Sequence, residues 1–140
     1  MHFSFKEINE RVFFIFILLH VLVSCSSTTD ITRNTASMTD FVIGQVYVLK
    51  KPVWISKGAL LTLRGKEPTD SEGILNSGTK FVARKAVVER DYEMGTSTEV
   101  FAEVLTGEHK GETMKISVIS QRMKTGYTRR DPEMLEPIAR

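Results

Sequence analysis

One cysteine in 140 residues, Cys25, leaves no partner for an internal disulfide and no thiolate cluster for a structural zinc. Histidine is nearly as scarce. Of the three, His2 and His20 precede Cys25, so His109 stands alone in the rest of the chain. A lone imidazole completes no metal site, and a Ser-His-Asp arrangement built on His109 lacks the Gly-x-Ser-x-Gly turn that would present its serine. His109 is expected at a hairpin tip, as an ordinary solvated turn residue. Excess charge is missing too: 19 Lys plus Arg against 17 Asp plus Glu leave +2, which gives no electrostatic ground for nucleic-acid binding. With 41% hydrophobic and 26% charged residues, the composition is that of a globular protein, and the length allows one small domain.

Glycine is absent before Gly44, whereas five of the eight phenylalanines fall before residue 17, so two differently composed segments are joined. Residues 1–11 carry Lys6 and Arg11, and residues 12–23 form an apolar run broken only by His20 and followed by small residues. This is the layout of an export signal. As a helix the run reaches about 18 Å, short of the roughly 30 Å of a bilayer core, so a membrane span is not expected. A buried core helix is not expected either, because Phe13, Phe14, Ile15, Phe16, Ile17, Leu18 and Leu19 are apolar on every side.

At the end of the run stands Leu22-Val23-Ser24-Cys25. It resembles the lipobox of bacterial lipoproteins: an aliphatic residue, a small or aliphatic one, a small one, then Cys. The resemblance implies that residues 1–24 are a cleaved signal peptide and that Cys25 carries a diacylglyceryl thioether and an N-acyl chain, with no other cofactor. A thiol is the side chain nucleophilic enough for that transfer. Each buried CH₂ contributes about 0.8 kcal/mol, so several chains hold such a protein on the membrane durably. Ser26 rather than Asp after the cysteine favours, by the same resemblance, the outer membrane, facing the periplasm.

Residues 26–40 include eight Ser or Thr and little that is apolar, which predicts an unfolded tether from Cys25 through residue 40. Its mean reach would be about 20 Å. Residues 41–140 then form the domain. Gly and Pro punctuate short runs of Val, Ile, Phe and Thr, and no window keeps a helical period, so the fold class is all-β. Expected strands are 45–50, 53–55, 60–63, 79–89, 98–106 and 112–120, the last with Met114, Ile116 and Val118 facing inward. Gly107-Glu108-His109-Lys110-Gly111 reads as a hairpin turn, and Asp131-Pro132 opens a single helical turn before a short closing strand at Glu136-Pro137-Ile138. This order resembles a small Src homology 3 (SH3)-like antiparallel barrel. An oligonucleotide-binding (OB)-like barrel is the alternative, although it calls for a helix that no segment here supplies.

Charge is segregated along the domain. Residues 50–66 hold five basic and no acidic side chains, residues 121–130 hold four and none, and residues 89–112 hold seven acidic and two basic. Trp54 lies in the first basic stretch and Tyr127 in the second. Together with Arg122, Lys124, Arg129 and Arg130 they form a candidate binding groove for an envelope protein, a glycan such as peptidoglycan, or an acidic lipid head group. The plainer reading makes Trp54 a plug at one barrel end. An apolar outer face around Phe101 and Leu105 is a second candidate surface. Asp70, Glu72, Asp91, Glu93, Glu99 and Glu103 offer carboxylates for glycoside cleavage, but no spacing singles out a pair. The expectation is therefore a non-catalytic envelope lipoprotein that binds or scaffolds; the alternative is a peptidoglycan-acting enzyme or its inhibitor.

Overall fold

The computed structural model describes residues 26–62 and 67–139. The expected signal peptide and Cys25 lie outside the described residues. In chain order the strands among the described residues are β1 (Ser27–Asp30), β2 (Val46–Leu49), β3 (Val53–Ser56), β4 (Ala59–Thr62), β5 (Ser71–Leu75), β6 (Lys80–Asp91), β7 (Gly95–Val104), β8 (Thr113–Lys115), β9 (Gln121–Arg122), β10 (Thr128–Arg129) and β11 (Leu135–Pro137). One 3-10 turn, Ser117–Ile119, follows β8.

The fold is all-β, as the alternation of apolar and polar residues predicts. Val100, Ala102 and Val104 of β7 are fully buried, while Glu99, Phe101 and Glu103 stand half out. The same period of two puts Tyr47 and Leu49 inward on β2, and Val53 and Ile55 inward on β3. With Phe41, Phe81, Met114 and Leu135 these residues close one core.

The sheet is open, which corrects the expected closed barrel. Its path runs β11-β2-β6-β7-β8-β4-β3-β5, and β11 and β5 remain at opposite ends. Both edges are built to stay unpaired. β11 has three residues and ends on Pro137, which has no N–H to donate, and β5 is interrupted at Gly73, whose φ is +121°. Among the described strands the pairings are antiparallel except the Ala59↔Lys115 bridge between β4 and β8, and an isolated bridge, Thr39↔Thr128, is parallel as well.

Residues 26–40 are not wholly an unfolded tether. β1 pairs antiparallel with β6 from Ser27↔Arg90 to Asp30↔Val87. The cause is the length of β6: β2 covers only Lys80 to Val82, and a bulge between Ala83 and Lys85 turns the rest of the strand away with its edge uncovered. The β-branched Thr28 and Thr29 suit that edge. Ile31 then packs against the core, and its N–H donates to the Ala86 carbonyl at 2.9 Å.

The expected last long strand also stops early, at Lys115. Ile116 and Ile119 are buried and Val118 is 43% exposed, because the chain passes into 3-10 geometry, whose period of three aligns residues 116 and 119. Two local readings hold as expected. Gly111 N–H donates to the Val104 carbonyl at 2.8 Å across the 107–111 turn, and Asp131 starts a single turn by accepting from Glu133 N–H at 2.9 Å, leading into β11.

Candidate functional site

The β9–β10 hairpin is held against β7 by hydroxyl groups. Thr128 Oγ1 donates to the Thr98 carbonyl at 2.7 Å, Thr98 Oγ1 to the Gly126 carbonyl at 2.8 Å, and Thr39 Oγ1 to the Thr128 carbonyl at 2.7 Å. All three threonines are buried. A polar side chain at each position meets backbone groups that would otherwise be sealed off unpaired.

This hairpin carries most of the expected groove residues, though not on one face. Arg122 is register partner of Thr128, so both point to the β7 side, and Arg122 Nη2 donates to the Thr96 carbonyl at 3.2 Å. Arg129, the next residue along β10, points the other way and is exposed, and Lys124 is exposed at the hairpin tip. Tyr127 is half-buried; its carbonyl accepts from Met123 N–H at 2.8 Å. Arg130 is an internal brace: its backbone N–H donates to Asp40 Oδ1 and its guanidinium to the Leu135 carbonyl at 2.5 Å.

Trp54 sits elsewhere, on β3, with Leu61 and Ile74 as register partners. It faces away from Val53 and Ile55, on the side where Ile74 is 42% exposed, so it does not plug the core. Its indole Nε1 is buried without a hydrogen-bond partner among the described residues. No strand pairing or hydrogen bond among the described residues joins β3 to the β9–β10 hairpin, so Trp54 and Tyr127 are not brought together by one.

The division of labour among the arginines has a measurable consequence. Arg130→Glu is expected to lower unfolding free energy by about 1–3 kcal/mol, because a charge-assisted bond to a buried strand carbonyl is lost. Arg129→Glu should stay within about 0.5 kcal/mol, as exposed charges do. Paired urea melts check both.

The remaining expected candidates are mostly committed to neighbours. Lys50 Nζ donates to the Pro132 carbonyl, and Lys51 pairs with Glu133, which ties the first basic segment to the turn before β11. Lys115 lies 5.8 Å from the Phe101 ring centroid and so covers part of the apolar outer face. Glu99 bonds Ser117 and Lys115, and Glu103 pairs with Arg84. Asp70 is held below the usual carboxylate range by Ser56 and Lys57, and Asp91 by the N–H groups of Met94 and Glu93. His109 Nδ1 lies 3.2 Å from both carboxylate oxygens of Glu112 in the exposed turn. No group of three metal-ligating side chains occurs among the described residues.

One concavity has no counterpart in the sequence pattern. An open basin of about 840 Å³ lies where β1 ends beside the β6 bulge, and Asp30, Thr32, Arg33, Asn34, Arg84 and Lys85 line it. Arg84 is engaged by Glu103 at 2.8 Å, which leaves Arg33 and Lys85 as the other cations lining the space, together with the Asp30 carboxylate, which Thr32 holds below the usual carboxylate range. Such a lining suits a polar ligand that carries both an acidic and a donor group.

No family model, curated protein or solved structure matches this chain. The functional reading therefore rests on the motif at Cys25 and on the geometry above.

Proposed function

We propose that the protein is a lipid-anchored, non-catalytic binding module of the bacterial cell envelope, attached through Cys25 and carrying an SH3-like domain. One observation carries the reading: Leu22-Val23-Ser24-Cys25 closes a signal-like apolar run, and the first strand starts at Ser27, two residues on. An address comes first and a folded domain second, which is the order a lipoprotein requires.

The SH3-like assignment is supported by the order β11-β2-β6-β7-β8, with the β3–β5 excursion inserted between β2 and β6 and a 3-10 turn after β8. Binding rather than glycoside cleavage is favoured because Glu99 is engaged by Ser117 and Lys115 and Glu103 by Arg84, and because Asp70 and Asp91 are held below the usual carboxylate range, whereas a general acid must keep its proton near neutral pH. An envelope protein or peptidoglycan peptide would meet the basin beside Arg33 and Lys85. The outer membrane, with the domain in the periplasm, is the expected location.

Cys25→Ser is expected to abolish acylation and leave an unprocessed precursor, since a hydroxyl does not replace the thiolate in thioether formation. Metabolic labelling with a fatty acid reads this directly. Label retained on the serine variant would reject the anchor, and turnover of purified sacculi by the wild-type protein would reject the non-catalytic assignment.

A further inference from the structure

The direction of β1 fixes which end of the domain meets the membrane. β1 runs antiparallel to β6, with Ser27 opposite Arg90, so the chain ahead of Ser27 heads the way β6 heads, toward the β6–β7 turn. Cys25 precedes Ser27 by two positions in the chain, and each residue adds at most about 3.8 Å of reach. Paired antiparallel Cα atoms are about 5 Å apart, so Ser27 itself stands beside Arg90, next to the turn beyond it. No long tether intervenes.

That turn is exposed and apolar at its tip. Tyr92 is 84% and Met94 76% exposed, the two highest exposures among the large hydrophobic residues described. The tip is nonetheless shaped: Asp91 Oδ1 accepts from the backbone N–H groups of both Glu93 and Met94 at 2.8 Å. A second exposed methionine, Met123 at 47%, is presented at the same end. The β9–β10 hairpin that bears it is fastened beside the start of β7, through Arg122 on the Thr96 carbonyl and Thr98 on the Gly126 carbonyl.

We propose that this end of the domain is a membrane-docking surface, with Tyr92 and Met94 seated in the lipid–water interface beside the acylated Cys25. The inference rests on the lipoprotein reading, because the anchor is what names a bilayer as the occupant. Tyrosine suits the position, since its ring is apolar and its hydroxyl stays among head groups. The segments at this end carry Arg90, Arg122 and Lys124 against Asp91 and Glu93, so charge there nearly cancels. Docking therefore depends on the apolar side chains and on the local concentration that the anchor supplies, and it does not require anionic lipid. The 107–111 turn lies at the other end of β7, at most about 30 Å away by strand rise, and docking of the β6–β7 end would leave it outside the bilayer.

The test uses the full, acylated protein in phosphatidylcholine vesicles. With Cys25 taken up in the thioether the mature chain has no other thiol, so Tyr92→Cys or His109→Cys can be labelled singly with nitrobenzoxadiazole. Docking predicts a blue shift and quenching by spin-labelled lipid for the label at 92, and neither change at 109. An unshifted label at 92 on protein that floats with vesicles and carries fatty-acid label would overturn the docking proposal alone. Equal quenching at both positions would overturn it too, because the domain would then lie flat. Protein that neither floats nor carries the acyl label would instead remove the lipoprotein reading, and the docking proposal with it.

Discussion

Tyr47→Ala is expected to cost about 3–5 kcal/mol, the range for emptying a large aromatic site in a packed core. Tyr47 is 2% exposed and meets the Phe41 ring edge-on, with centroids 5.3 Å apart at 68°. Its hydroxyl oxygen also accepts from Val42 N–H at 2.9 Å, so the side chain fastens the segment before β2 as well as filling the core. Alanine removes the ring contact, opens a void and leaves that N–H without its partner. For a domain of this length the loss should lower the melting temperature by at least roughly 10 °C. Calorimetry of the alanine variant checks it, and a change of under about 1 kcal/mol would show that the ring is not part of the core.

The same residue makes alkaline stability informative. Burial raises the Tyr47 phenol above its ordinary value of 10.0, with the Val42 N–H opposing in part. A folded-state value above the unfolded one means a contribution fully present below pH 10 and lost as pH rises beyond it. Tyr47→Phe should flatten that alkaline fall while keeping most of the core, so the two variants separate packing from ionisation.

Local chemistry decides the parts of this fold that are legible in the sequence. The alternation through Val100, Ala102 and Val104 needs only neighbouring residues to be read, and so does the Asp131-Pro132 turn. β1 is illegible because Ser-Thr-Thr-Asp carries no apolar alternation; its pairing depends on an uncovered edge of β6, near residue 88, that no local window contains. β5 is hidden by Gly73 in its middle, and the end of β8 by a switch from a period of two to one of three. The different placements of the expected groove residues are hidden for a related reason. Arg130 reads as a free cation until the Leu135 carbonyl takes its guanidinium and Asp40, ninety residues earlier, fixes its backbone N–H. The basin needs Arg33 beside Lys85, a juxtaposition that exists only once β1 has paired.

Gly126→Ala is expected to destabilise the domain by about 2–4 kcal/mol, combining a left-handed backbone with overpacking against neighbouring backbone. Gly126 has φ +83°, and a Cβ there would lie 2.8 Å from both the Thr96 carbonyl oxygen and its Cγ2. The methyl end of Thr96 can rotate away, but its carbonyl is fixed in β7 and also accepts from Arg122. The hairpin must therefore lift. Lifting it stretches the bond from Thr98 Oγ1 to the Gly126 carbonyl and then the Thr128 and Thr39 bonds behind it, all of them in buried surroundings where water does not readily replace a lost partner. Gly78→Ala is the control, because its φ of +90° carries the same backbone strain while its Cβ would meet nothing within 4 Å. The difference between the two variants in urea unfolding isolates the contact with Thr96. Equal losses would mean that the hairpin is not pressed against β7, and the end of the domain assigned to the membrane would then lack the fastening that places Met123 beside Tyr92 and Met94.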